Sequence, residues 1–143
     1  MSLLIKNLYF LLNFLTPLCV FATTPLSVST TQSMGFGEIL AGTQSSTEEL
    51  QNGNQPAVIQ YSGQVGSGIS FIIHDNDNPS KYDQTTLING SNKMIASLSL
   101  TRPTSIVNTT NTLVIHGTIS SSETQSKAAG DYSGSFTVII AYL

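Results

Sequence analysis

Two histidines, a short acidic and amide cluster and a pair of adjacent glutamates carry the richest chemistry in this chain. His74 and His116 each stand among β-forming residues, after Ile72-Ile73 in one case and Val114-Ile115 in the other. Neither neighbours a nucleophile-elbow motif, and a Ser-His-Asp group would have to be assembled in space with no local signature to announce it. Both therefore read as ordinary strand residues. His74-Asp75-Asn76-Asp77-Asn78, followed by Pro79, offers alternating oxygen donors that suit a hard cation such as Ca2+. It lacks the glycine and the distant acid of a helix-loop-helix calcium site. Asp, Asn and Pro are also the usual turn residues, so a solvated loop is the plainer reading and a calcium site at Asp75 to Asp77 is its alternative.

Glu48 and Glu49 are sequence neighbours in a polar stretch, where their side chains diverge and do not flank one glycosidic bond. Gly35-Phe36-Gly37 and Gly66-Ser67-Gly68 are too short to cradle phosphate and no helix follows them. Asn89-Gly90-Ser91 and Asn108-Thr109-Thr110 match glycan acceptor triplets, which an Asn- and Thr-rich chain also produces by chance. The expectation is a noncatalytic protein, with no catalytic, cofactor-binding or metal-ligating residue assigned.

The elements that would position these residues are short and β-like. At 143 residues, with 40% hydrophobic and 9% charged content, the chain fits one modest domain and excludes a large multidomain enzyme. A formal net charge of -3 provides no basic field for nucleic acid. Lys6 precedes an apolar run from Leu8 to Ala22 that has the charge, length and small-residue ending of a secretory signal. Asn13 and Pro17 interrupt it, which disfavours a permanent membrane span. The expected organisation is a signal over residues 1–22 and one exported domain over residues 23–143.

The single cysteine, Cys19, falls inside that signal, so the exported domain has no disulfide, no thiolate nucleophile and no sulfur-ligated metal. Thr16-Pro17-Leu18 lacks the small residue that lipoprotein processing needs immediately before a cysteine, which favours removal of Cys19 over its lipidation. Stability must come from packing and backbone pairing alone.

Strands are expected at Pro25–Thr30, around Met34–Leu40, and at Pro56–Ser62, Gly68–His74, Lys93–Thr101, Thr112–Ser120 and Gly134–Tyr142. In the last, Phe136, Val138, Ile140 and Tyr142 alternate with Thr137, Ile139 and Ala141, a period of two that suits a strand and not a helix. Met94, Ala96, Leu98 and Leu100 repeat the pattern, as do Leu113, Ile115 and Ile119. Each such strand has one core face and one mostly wetted face. The expected fold is an all-β, immunoglobulin-like antiparallel sandwich of about seven strands. Gln44 to Gln55 reads as a surface loop.

A terminal strand as apolar as Gly134–Tyr142 must be covered by an internal strand or by a partner, since a bare edge invites another chain. Pro25–Thr30, with Leu26 and Val28 on one face, is the internal candidate, and the same residues could instead serve a neighbour.

The ending Gly130-Asp131-Tyr132-Ser133-Gly134-Ser135-Phe136-Thr137-Val138, with the early Met34-Gly35-Phe36-Gly37 and the middle Asn92-Lys93-Met94, resembles the exported bacterial family catalogued as domain of unknown function 4402. The similarity runs from about Leu26 to Tyr142. That family is in turn similar to spore-coat-U-like and archaic chaperone-usher pilin domains. In this chain Phe36 matches the family's early aromatic, Tyr132 and Gly134 its tyrosine and glycine before the last strand, and Phe136, Val138 and Tyr142 the inward positions of that strand.

The resemblance implies a noncatalytic structural or adhesive protein outside the cytoplasm: periplasmic, on the outer cell surface or extracellular. Its partners would be further copies or another envelope or pilin subunit, joined through strand edges. Pilins of that group carry a long donor segment and an early disulfide, whereas only Thr23 to Gln32 precede Met34-Gly35-Phe36 here. This departure argues against donating a strand and leaves receiving one open. The alternative function is a secreted binding module for a carbohydrate, calcium or host-surface target, for which Ser- and Thr-rich strand faces supply hydroxyls but no Trp supplies a stacking platform.

Overall fold

The computed structural model describes residues 24–48 and 53–143. The expected signal, with Lys6, Cys19 and Ala22, lies outside the described residues, as does Glu49.

Ten strands and one helical turn follow one another along the chain. They are β1 (Ser27–Gln32), β2 (Gly35–Phe36), β3 (Ser45–Ser46), β4 (Asn54–Gln55), β5 (Ala57–Ser62), β6 (Ile69–Asp75), β7 (Gln84–Asn89), β8 (Asn92–Leu100), β9 (Asn111–Ile119), α1 (Ser121–Thr124) and β10 (Phe136–Tyr142). The fold is all-β and every paired strand is antiparallel. A large sheet has the order β1-β5-β9-β8-β7, with β3 extending the β5 side of β9, and a small sheet pairs β6 with β10. In the lettering of an immunoglobulin sandwich, β1, β5, β9 and β8 hold the places of A, B, E and D, and β7 adds a strand beyond β8. β6 and β10 hold the places of C and F. The place of G, on the free side of β10, holds no strand among the described residues.

Alternation builds the core. Leu113, Ile115 and Ile119 of β9 are buried on the same face as Gly117, while Thr112 and Val114 between them are exposed. Ile69, Phe71 and Ile73 of β6 meet Leu113 and Ile115 from the other sheet, in a cluster that includes Ile59 and Tyr61 of β5. Each such side chain contributes about 1.5–3 kcal/mol when fully buried. The Tyr61 and Phe71 rings cross the gap between sheets edge to face, with centroids 5.6 Å apart and planes at 78°. A second, smaller cluster joins Leu87, Met94, Ala96 and Ile119, flanked by Phe36, Ile39 and Tyr132.

Several expectations need correction. No strand was expected over β7, but Thr85 and Leu87 point inward and the strand forms a hairpin with β8 around Asn89-Gly90, where Gly90 has a positive φ of 59°. The piece around Met34–Leu40 is extended only at Gly35–Phe36, because Gly37 takes a positive φ of 58° and turns the chain. The loop expected over Gln44–Gln55 contains β3 and β4. The final strand begins at Phe136 and not Gly134. Pro25–Thr30 does not cover β10. Its residues from Ser27 onward pair with β5, Val28 lying opposite Tyr61.

Candidate functional site

Among the described residues the large sheet ends at β1 and β7 and the small sheet at β6 and β10, and three of these four edges are blunted. Along β7, Ile88 and Ser133 exchange backbone hydrogen bonds of 2.7 and 3.2 Å. The far side of β6 is covered by loops: the Ile69 N–H donates to Thr104 O, the Asp75 N–H to Lys81 O, and Ile73 O accepts from the Asp83 N–H. β1 is bulged, its register slipping between Thr30 and Gln32, and the Thr31 hydroxyl donates to Val58 O.

The fourth edge is β10. Since Ile69, Ile73 and Asp75 spend their backbone groups on the far side of β6, the alternate residues Ser70, Ile72 and His74 bond to β10. Their partners are Ala141, Ile139 and Thr137. The Leu143 N–H donates to Gly68 O and continues the same parity. Phe136, Val138, Ile140 and Tyr142 therefore direct their N–H and C=O groups away from β6, and no backbone partner meets them there among the described residues.

Side chains and edge coincide. The residues with outward-facing backbone groups are the same ones whose side chains share the inward face with Ile69, Phe71 and Ile73. Those three are buried, at 3%, 7% and 1% exposure, yet their neighbours on β10 are only half-buried. Across the gap, Val28 lies on the same face as buried Tyr61 and is 47% exposed. Among the described residues, therefore, nothing fully buries the inward apolar face of β10 or Val28 on β1.

This groove narrows at one end and widens at the other. At its narrow end the Tyr142 hydroxyl donates to Thr24 O at 2.6 Å and accepts from the Gln64 N–H at 2.7 Å, tying β10 to the start of β1 and the turn after β5. The ring lies over Gly63, where a Cβ would collide with the Tyr142 hydroxyl. At the wide end, Phe136 lines a cavity of about 770 Å³ with Met34, Phe36, Leu87, Met94 and Tyr132. Gly117 is what lets Phe36 and Met34 reach the floor, since a Cβ there would sit 2.5 Å from the Phe36 ring and 2.6 Å from the Met34 sulfur. Glu38, Lys127 and Asp131 also line the cavity.

The residues singled out for chemistry do not gather at this groove. His74 is on β6 and His116 on β9, both half-buried in different sheets, and the Nδ1 of each has no hydrogen-bond partner among the described residues. Glu48 is exposed and its N–H donates to the Ser46 hydroxyl.

The Asp75 to Asp77 segment is not a ring of oxygens around a cation. Asp75 belongs to β6, is fully buried, and accepts from the Thr86 hydroxyl at 2.5 Å and from the Asp77 N–H at 3.0 Å. Asn76 is occupied too, its Oδ1 accepting from the Thr137 hydroxyl and its Nδ2 donating to the Ser135 hydroxyl. Among the described residues no three His, Cys, Asp or Glu side chains converge as a metal site. Asp75 instead joins the two sheets, a role the sequence reading missed. Its only signal was parity, two residues beyond Ile73 on the buried face.

No helix among the described residues is long and apolar enough to cross a membrane. No protein-family model matches the chain, and no curated protein matches it.

Proposed function

We propose that this chain is an exported, noncatalytic structural or adhesive subunit, pilin-like, that assembles by accepting a β-strand from a partner into the groove between β1 and β10. One observation carries the reading: Phe136, Val138 and Ile140 present free backbone groups and half-buried apolar side chains to the same opening. Strand addition satisfies both at once, with main-chain hydrogen bonds giving affinity and side-chain pockets giving selectivity. The likeness of the Gly130-to-Val138 ending to the domain of unknown function 4402 family, and the signal-like start, support a setting outside the cytoplasm.

The parity of β10 supplies a clean test. Pro lacks an N–H, so Val138→Pro removes a group that faces only the opening, whereas Ile139→Pro removes one that bonds to β6. The purified protein should bind an uncharged peptide of alternating Val and Thr, or self-associate with rising concentration in light scattering. Val138→Pro should stay folded and lose that association, while Ile139→Pro should melt far lower. A wild-type protein that stays monomeric, ignores such peptides and already shows slow amide exchange at Val138 overturns the proposal.

A further inference from the structure

Resting on the strand-accepting reading, we infer that the partner strand is short, uncharged and graded in size: about five residues beside Phe136–Ile140, with a large aromatic side chain at the cavity end. The groove itself defines the length. Tyr142 closes one end through Thr24 and Gln64, and Leu26 packs beside it, so a strand running past Ile140 meets a filled space. From Phe136 to Ile140 the open edge is about 13 Å long at the usual rise per residue, enough for three inward side chains at alternate positions.

The size gradient follows from the walls. Opposite Phe136 the floor drops into the 770 Å³ cavity, whose lining of Phe36, Met34, Tyr132 and Phe136 offers aromatic edges and a thioether to a ring. Beyond Ile140 the Tyr142 clasp to Thr24 and Gln64 closes the space, so the inward side chain shrinks along the strand from the cavity to the clasp.

Charge selects in the same sense. No charged residue occurs from Thr24 to Gly37 or from Tyr132 to Leu143, the stretches that form the two walls. A charge carried into the groove would be buried without a partner. Glu38, Lys127 and Asp131 stand at the cavity end, where both signs are present and flanking polar residues of the partner can be matched.

The chain contains no Trp, so the emission of a Trp-bearing peptide reports only on the peptide. Three capped peptides separate the possibilities: Trp-Thr-Val-Thr-Ala, the same composition with Trp in the middle, and the first extended by Thr-Val after Ala. The first should bind with blue-shifted emission and exceed the middle-Trp peptide by about tenfold or more, the usual discrimination for one mis-sized apolar group. The extension should add nothing to the wild type and should add affinity to Tyr142→Phe, which loses the clasp hydroxyl but keeps its ring. Equal binding of the first two peptides, or tighter binding of the extended one to the wild type, overturns the graded, closed groove and leaves strand acceptance standing. Failure of every peptide, including one of alternating Val and Thr only, overturns strand acceptance itself.

Discussion

Thr86→Val removes one hydroxyl and nearly preserves shape, and its cost is set by the carboxyl group that the hydroxyl serves. Asp75 is fully buried, with one oxygen held by Thr86 across the junction of the two sheets and the other by the Asp77 N–H. Among the described residues no further hydrogen bond reaches the first oxygen, so Val leaves a buried acceptor empty. An orphaned buried polar group costs about 1–3 kcal/mol. Each kcal/mol shifts the melting temperature of a domain this size by about 3–6 °C. Thermal melts should therefore fall by roughly 3–18 °C. Thr86→Ser keeps the hydroxyl and should lose much less. Thr112→Val, on the exposed face of β9, should stay within about 0.5 kcal/mol of the parent. Urea melts with an unchanged slope would confirm that stability and not compactness has changed. If Thr86→Val melts with Thr112→Val, Asp75 is not the tie between the sheets and the account of its burial is wrong.

Two further outcomes follow from local geometry and titration. Gly134→Ala would place its Cβ on the Thr86 carbonyl, a backbone atom of β7 that cannot swing aside, so it should exceed the usual overpacking cost of about 1–3 kcal/mol. Gly68→Ala, whose nearest neighbour is the Leu143 side chain at 3.4 Å, should be close to neutral in the same thermal melts. Burial pushes the Tyr61 phenol above its ordinary value of 10.0, so the unfolded chain loses that proton first. Stability is then complete below pH 10.0 and declines as pH rises above it, until the folded phenol also ionises. Denaturant melts across that range should show the decline, and Tyr61→Phe should flatten it.

Much of this architecture can be read from alternation. β5, β8 and β9 stand out because apolar residues recur at every second position among mostly polar neighbours, and β6 and β10 because their apolar period of two continues through Ile72 and Ile139 as a run of β-forming residues. β7 was missed because Gln84-Thr85-Thr86-Leu87-Ile88-Asn89 buries only a threonine and a leucine. The turn dipeptide Asn89-Gly90 before β8 was the usable clue, since Asn-Gly between extended segments marks a hairpin. Asp75 went unread as a core residue because its type predicts a loop while its parity predicts burial, and tertiary pairing with Thr86 decides between them. The groove was foreseen only as a need, through the apolar strand ending at Tyr142. Its shape depends on segments near residues 24–36, 63–64, 87–94 and 127–142, and no local pattern reports how such distant pieces meet.

The contrast among the four edges bears on whether the opening is a flaw or a feature. An exposed strand edge is an aggregation hazard, and folded proteins blunt it with bulges, charges or covering loops. This chain does so at β1 with a bulge, at β6 with three loop hydrogen bonds and at β7 with the Ser133 bridge. At β10 none of these devices is present among the described residues: the strand has no bulge in its pairing with β6, no charge and no cover over its outer backbone groups. A sequence that protects three edges and leaves the most apolar one bare is consistent with that edge being kept for pairing. The Tyr142 clasp sharpens the point, because it secures the end of the bare strand without occupying its edge. Removing the clasp and adding a partner strand should therefore act on different parts of β10, the first on its end at Thr24 and Gln64, the second on Phe136 to Ile140. That separation is why Tyr142→Phe and Val138→Pro are expected to divide length selection from strand acceptance.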